Sequence, residues 1–156
     1  MIEFKKILWP TDFSEPSYKA LRTADDLALH FGAKLFLVHV IAPIPAVAAP
    51  GAPMAFNVPA YQKELDTDAN KRLVEIQKNN ISDKLESELI VRHGEASYLI
   101  SETAQKKDVD LIVISTHGLT GWRHLVFGSV AEKVVRNAPC PVLTIRAREE
   151  EEEEEK

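Results

Sequence analysis

Gly118 and the Gly128-Ser129 pair flank a nine-residue loop, the former following an apolar run and the latter opening a segment of helical periodicity. Glycine permits close approaches that a Cβ would block, and the unpaired N–H groups at a helix start attract anions, phosphate above all. Upstream, Leu111-Ile112-Val113-Ile114 reads as a strand buried on both faces, and Ser115-Thr116-His117-Gly118 breaks it. Two anion-holding devices around one loop point to a nucleotide. Arg123 lies inside that loop and could neutralise phosphate, although a solvated guanidinium is the simpler reading. Gly121 reads as a turn residue.

The helix after Gly128 has competing demands on its first residues. Ser129-Val130-Ala131-Glu132 has the pattern of a capping box, in which the Ser129 hydroxyl serves its own helix and Glu132 returns the bond. Glu132 also adds negative charge in the first turn, against a bound polyphosphate. The backbone N–H groups of Ser129, Val130 and Ala131 still suffice to hold an anion. Asp12 follows a second apolar strand and precedes Ser14 and Pro16, so it reads either as an Asx-type turn or as an acceptor for ribose hydroxyls. His117 is divided between packing its loop and touching a ligand. The remaining histidines, His30, His39, His93 and His124, have no spacing that suggests a metal site.

The glycine spacing resembles the universal stress protein family, whose nucleotide-binding members carry Gly-x-x-Gly, nine residues, then Gly-Ser or Gly-Thr. Here the equivalents are Ser115, Gly118, Gly128 and Ser129, so serine stands in place of the first glycine. Lys6-Ile7-Leu8-Trp9-Pro10-Thr11-Asp12-Phe13-Ser14 and Ala138-Pro139-Cys140-Pro141-Val142-Leu143 extend the likeness up to Arg146. The resemblance implies five parallel strands in the order 3-2-1-4-5, a Rossmann-like sheet with helices on both faces. It also implies a site lined by Pro10, Thr11 and Asp12, by Val40 against the base, and by Ile114, Ser115, His117, Gly118, Gly128, Ser129, Val130 and Ala131. The implied ligand is ATP, with any Mg²⁺ bound through its phosphates, and the implied role is an ATP-binding stress-response regulator with slow or no hydrolysis. Slow chemistry also fits the lack of a Gly-x-x-x-x-Gly-Lys-[Ser/Thr] string and of a Gly-x-Ser-x-Gly nucleophile. Two alternatives remain at this level. One is an interaction protein of the same fold that binds no nucleotide, with Ser115 as its signature; the other is a low-turnover ATP hydrolase using Asp12 or His117.

The elements that must position these residues alternate regularly. Strand-like runs cover 5–9, 34–41, 88–92, 110–115 and 142–146, and helical periodicity covers 15–31, 61–79, 95–107 and 129–137. Such βα alternation argues for a parallel α/β sheet. Tyr18, Leu21, Ala24, Ala28 and Phe31 form one helical stripe, with Gly32 placed for a left-handed cap. Ala96, Leu99, Ile100, Thr103 and Ala104 form another, and Val130, Val134, Val135 and Ala138 a third. In the order implied by the resemblance, strands one and four are neighbours with crossovers leaving to opposite sides, and ligands bind beyond the carboxyl ends of strands at such a point.

Composition bounds the remaining classes. The chain has 156 residues, 45% of them hydrophobic, enough for one domain with a sizeable core. We expect that domain over 1–146 and a solvated, disordered acidic tail over 147–156. The formal charge is -5, but seven glutamates and one lysine in 149–156 carry -6, which leaves the body at +1. A neutral body gives no basic face for sequence-independent nucleic-acid binding. Val40 to Phe56 is uncharged over 17 residues, yet Pro43, Pro45, Pro50, Pro53 and Gly51 exclude a membrane-spanning helix there. That stretch reads as a loop: an apolar lid, an oligomer contact or a plain connection. Cys140 stands alone, which suits a reducing, cytoplasmic compartment and a buried small residue. The first charged residues, Glu3, Lys5 and Lys6, precede an apolar run too short for a secretory signal. The last strand, Val142 to Ile145, lies at a sheet edge in the implied order and is largely apolar, so a homodimer through it is expected, beside a possible unidentified protein partner.

Overall fold

The computed structural model describes residues 1–44, 57–116 and 128–146. The chain alternates strictly: β1 (Lys6–Thr11), α1 (Glu15–Phe31), β2 (Lys34–Ile41), α2 (Val58–Asn80), β3 (Ser87–His93), α3 (Ala96–Lys106), β4 (Leu111–Ser115), α4 (Ser129–Asn137) and β5 (Val142–Ile145). The five strands form one sheet in the order β3-β2-β1-β4-β5, every pairing parallel. This is the α/β architecture and the strand order expected. The acidic tail expected over 147–156 lies outside the described residues.

The continuous apolar runs are explained by burial on both faces. Alternate residues of one strand point to opposite sides, so each run divides between two cores. Ile7, Trp9, Leu35, Leu37, Leu111 and Val113 pack against α1 and α2. Leu8, Phe36, Val38, Ile112 and Ile114 face the other way, toward Ile100 and Ala104 of α3 and Ala131 and Val134 of α4. In α1, Ala20, Leu21, Ala24 and Ala28 are buried while Tyr18 and Phe31 pack at the margin. Gly32 closes the helix at φ 64, a left-handed conformation that favours glycine, and its N–H donates to the Ala28 carbonyl.

Two sequence-based assignments need correction. The α4 stripe is narrower than its valines suggest: Ala131 and Val134 are buried, but Val130 and Val135 are 36% and 45% exposed. A helix of nine residues resting on one groove covers a single stripe, and these two valines fall on its margins. β1 is also longer than its apolar run, continuing through Pro10 to Thr11. Proline is ordinarily excluded from a central strand. Here the ladder to β4 pairs Ile7 with Leu111 and Leu8 with Ile112 and then ends, before Pro10, which has no N–H to donate. The two strands part at that point.

The sheet edges differ in character. On β3, Glu88 is paired with Lys34 and Lys107, and Arg92 with Glu102. On β5, Leu143 is exposed, with Val142 and Ile145 half-buried. Among the described residues, no helix is long and apolar enough to cross a membrane.

Candidate functional site

Where β1 and β4 part, a cavity of about 270 Å³ opens beyond the carboxyl ends of the strands, close to the lower end of the roughly 300–1,000 Å³ typical of small-molecule sites. Pro10, Thr11 and Asp12 bring the end of β1 to it, Val38 and Val40 the end of β2, and Ile114 and Ser115 the end of β4. Gly128, Ser129, Val130 and Ala131 close the opposite side with the start of α4. Every expected site residue within the described part of the chain therefore lines one cavity. His117 and Gly118 lie outside the described residues, as do Gly121 and Arg123.

The wall is graded in chemistry. Val38, Val40, Ile100 and Ile114 make an apolar floor, while Asp12, Ser115 and Thr116 stand with the α4 amides as the polar part. Helix geometry leaves the N–H groups of Ser129, Val130 and Ala131 without intrahelical acceptors, and the dipole adds partial positive charge there. Gly128 is the N-cap, in an extended conformation at φ -68 and ψ 149, and no side chain among the described residues caps the helix. Ser129 is thus the first helical residue, so the capping-box reading is overturned: the cap falls one residue earlier and the hydroxyl is not spent on it. Glu132 does not reach back either; it accepts from Arg136 at 2.9 Å, one turn on, which offsets its charge.

Gly128 is demanded by the protein itself. A Cβ there would stand 2.9 Å from the Thr116 carbonyl oxygen, and the Gly128 N–H donates to that same oxygen. This clasp ties the helix start to the end of β4. On the β4 side, the Thr116 N–H donates to the Ile145 carbonyl at 3.1 Å, carrying the tie on to β5.

The β1–α1 turn is held by its own hydrogen bonds. The Ser14 N–H donates to Asp12 Oδ1 at 3.0 Å, so the Asx-type turn is real. A carboxylate accepts at two oxygens, and Asp12 is exposed at the cavity rim, so this turn and a ligand contact are compatible. Thr11 is different: it is 6% exposed and its hydroxyl is committed inward. The Ser17 hydroxyl donates to the Ser14 carbonyl at 2.7 Å, which leaves Thr11 Oγ1 to donate to Ser17 Oγ at 2.9 Å while accepting from the Phe13 N–H. The Trp9 indole N–H donates to the Ser17 carbonyl at 2.9 Å. On the far side of the sheet, His39 Nδ1 lies 2.8 Å from the Thr11 carbonyl. Burial pushes the His39 pKa down, opposed by that carbonyl and reinforced by Arg72. Cys140, half-buried, has its thiol pKa raised by burial and then by Asp110, which suits a packing residue.

The family model for the universal stress proteins matches residues 3–146 of this chain. The chain belongs to the universal stress protein family. Universal stress protein MJ0531 of Methanocaldococcus jannaschii is 34% identical over 148 residues, spanning 95% of this chain and 85% of that relative. The solved structure of MJ0577 from the same organism superimposes with a TM-score of 0.76 at 27% identity, covering 94% of this chain and 99% of the other. The universal stress protein from Archaeoglobus fulgidus, solved in complex with dAMP, matches with a TM-score of 0.56 at 25% identity over 93% and 99% of the two chains.

Within this universal stress protein the cavity also takes residues that the sequence did not single out: Ser17, Val38, Ala96, Ile100 and Thr116. Two signals were available. Val38 lies two residues before Val40, on the same side of β2, and Ala96 and Ile100 are one turn apart on the buried stripe of α3. Ser17 had no such signal, because its place depends on how closely α1 begins after β1.

Proposed function

We propose that this universal stress protein binds an adenine nucleotide, ATP, in the β1/β4 cavity and acts in the stress response through nucleotide-dependent conformation or association. The observation that carries the reading is the order of chemistries in one crevice. An apolar floor from Val38, Val40 and Ile114 suits a base, the exposed Asp12 carboxylate suits ribose hydroxyls, and the uncapped α4 start suits phosphate. The dAMP complex of the Archaeoglobus fulgidus relative supports an adenine nucleotide as the ligand class. His117 and Gly118 belong to the same phosphate-side contacts in this reading, and Mg²⁺ enters with the phosphates. Hydrolysis is slow or absent, and the protein works in the cytoplasm.

Association is part of the proposal. β3 is guarded by ion pairs, whereas β5, the last strand in the sheet order, presents Leu143 to solvent. A homodimer through Val142–Ile145 covers that edge. Other protein partners would then read the nucleotide state of the dimer.

Calorimetric titration with ATP tests the reading, together with mass analysis of whatever the purified protein releases on denaturation. We expect micromolar binding, on the order of -7 to -8 kcal/mol, and its loss or marked weakening in Asp12→Ala. Absence of any adenine nucleotide signal in both measurements would move the protein to the nucleotide-free interaction reading. Phosphate release well above background on adding ATP would instead favour the hydrolase reading.

A further inference from the structure

Phe13, the residue after Asp12, has φ 62, a left-handed conformation that a bulky side chain rarely adopts. Its surroundings account for its persistence. The His39 ring lies 4.3 Å from the Phe13 ring centroid at an interplanar angle of 32°, and the Arg72 guanidinium carbon lies 4.2 Å from the same centroid. Phe13 thus bridges β2 and α2 from a turn that belongs to neither. Its backbone N–H is held by Thr11 Oγ1 at 2.9 Å, and the next N–H, on Ser14, by the Asp12 carboxylate. The ring and the turn therefore move together: releasing Phe13 lets its backbone leave the left-handed region and carries Asp12 with it.

We infer that Arg72, in the middle of α2, is a positioning residue for the nucleotide site, acting through the Phe13 ring on Asp12. Arg72 does not line the cavity. Its one ion pair in the described structure is a 3.9 Å contact with Asp68 one turn back, and its side chain is 46% exposed. The guanidinium also lies over the Phe13 ring, and stacking on an aromatic ring is something Arg does better than Lys. The arrangement makes α2, a helix with no residue in the cavity, a lever on the ribose side of the site. The inference rests on the nucleotide reading given above.

The test compares ATP with 2′,3′-dideoxy-ATP in wild type, Arg72→Ala, Arg72→Lys, Asp12→Ala and the Arg72→Ala/Asp12→Ala double variant. Because Arg72 is half-exposed, its substitution should leave the fold intact, which a thermal melt confirms. In wild type, Asp12 should favour ATP over the dideoxy analogue by tenfold or more. Arg72→Ala should reduce that preference to threefold or less, mainly by weakening ATP, and Arg72→Lys should restore part of it. In the Asp12→Ala background, Arg72→Ala should have no further effect, since the two act along one path. As a readout independent of nucleotide, amide exchange of Phe13 and Ser14 should accelerate at least tenfold in Arg72→Ala, with that of Leu35 in β2 unchanged. Wild-type preference and exchange in Arg72→Ala would overturn the positioning role while leaving the nucleotide site standing. Equal weakening of both nucleotides would also overturn it, as a general structural effect. Failure of the wild-type protein to bind either nucleotide would refute the site and this role with it.

Discussion

Replacing Gly128 with alanine isolates the clasp between the end of β4 and the start of α4. Three effects compete. The backbone at φ -68 and ψ 149 is open to any residue, so restricting the unfolded chain should stabilise by about 0.4–1 kcal/mol. Alanine is a poorer N-cap than glycine, which costs roughly 0.5 kcal/mol, so these two nearly cancel. The third effect decides the sign: the new Cβ would sit 2.9 Å from the Thr116 carbonyl oxygen. That oxygen belongs to backbone and already accepts the Gly128 N–H, so neither side can yield like a flexible side chain. Overpacking of this kind costs about 1–3 kcal/mol. At roughly 3 °C per kcal/mol for a domain of this size, the melting temperature should fall by about 3–9 °C. The strain sits where α4 starts at the cavity, so under the proposed function ATP affinity should also drop about tenfold, or 1.4 kcal/mol. Thermal melts with and without ATP, followed by circular dichroism, measure both effects. A variant that melts at or above the wild-type temperature would show that the clasp yields freely, and that the glycine is not required by the protein backbone.

Ser115→Gly examines the position at which the chain departs from the glycine-rich spacing: wild type should bind ATP at micromolar concentration, and a silent wild type beside a binding Ser115→Gly would show that the serine Cβ blocks the site. Leu143→Lys, on the exposed apolar edge of β5, should convert a dimer to a monomer in sedimentation at micromolar concentration; an unchanged dimer would place the interface elsewhere. The depressed pKa of His39 makes the unfolded chain bind more protons than the folded one as pH drops below about 6.5. Stability should therefore be fully present above pH 6.5 and decline toward pH 5 in urea titrations, and His39→Gln should lack that decline. Glu88, Glu95 and Glu102, whose pKa values are lowered by hydrogen bonds, add further losses only at lower pH.

The sequence alone determined the alternation of strands and helices, because burial on both faces leaves unbroken apolar runs while a half-buried helix leaves a stripe of period 3.6. It determined the Gly32 cap, where only a residue without a Cβ sits easily at positive φ. It also placed Asp12, Ser115 and Gly128 at element ends, which the fold gathers around one cavity. The strand order was readable only through family resemblance, since nothing in β1 or β4 names its neighbour. Tertiary structure decided what depends on distance between remote segments. The approach of Gly128 to Thr116 moves the α4 cap one residue earlier and frees Ser129, which the local pattern had assigned to the helix. The parting of β1 from β4 before Pro10 turns a strand proline into a cavity wall. The contacts of Phe13 with His39 and Arg72 hold a strained turn that no local rule would predict, because its cost is met by residues 26 and 59 positions further along the chain.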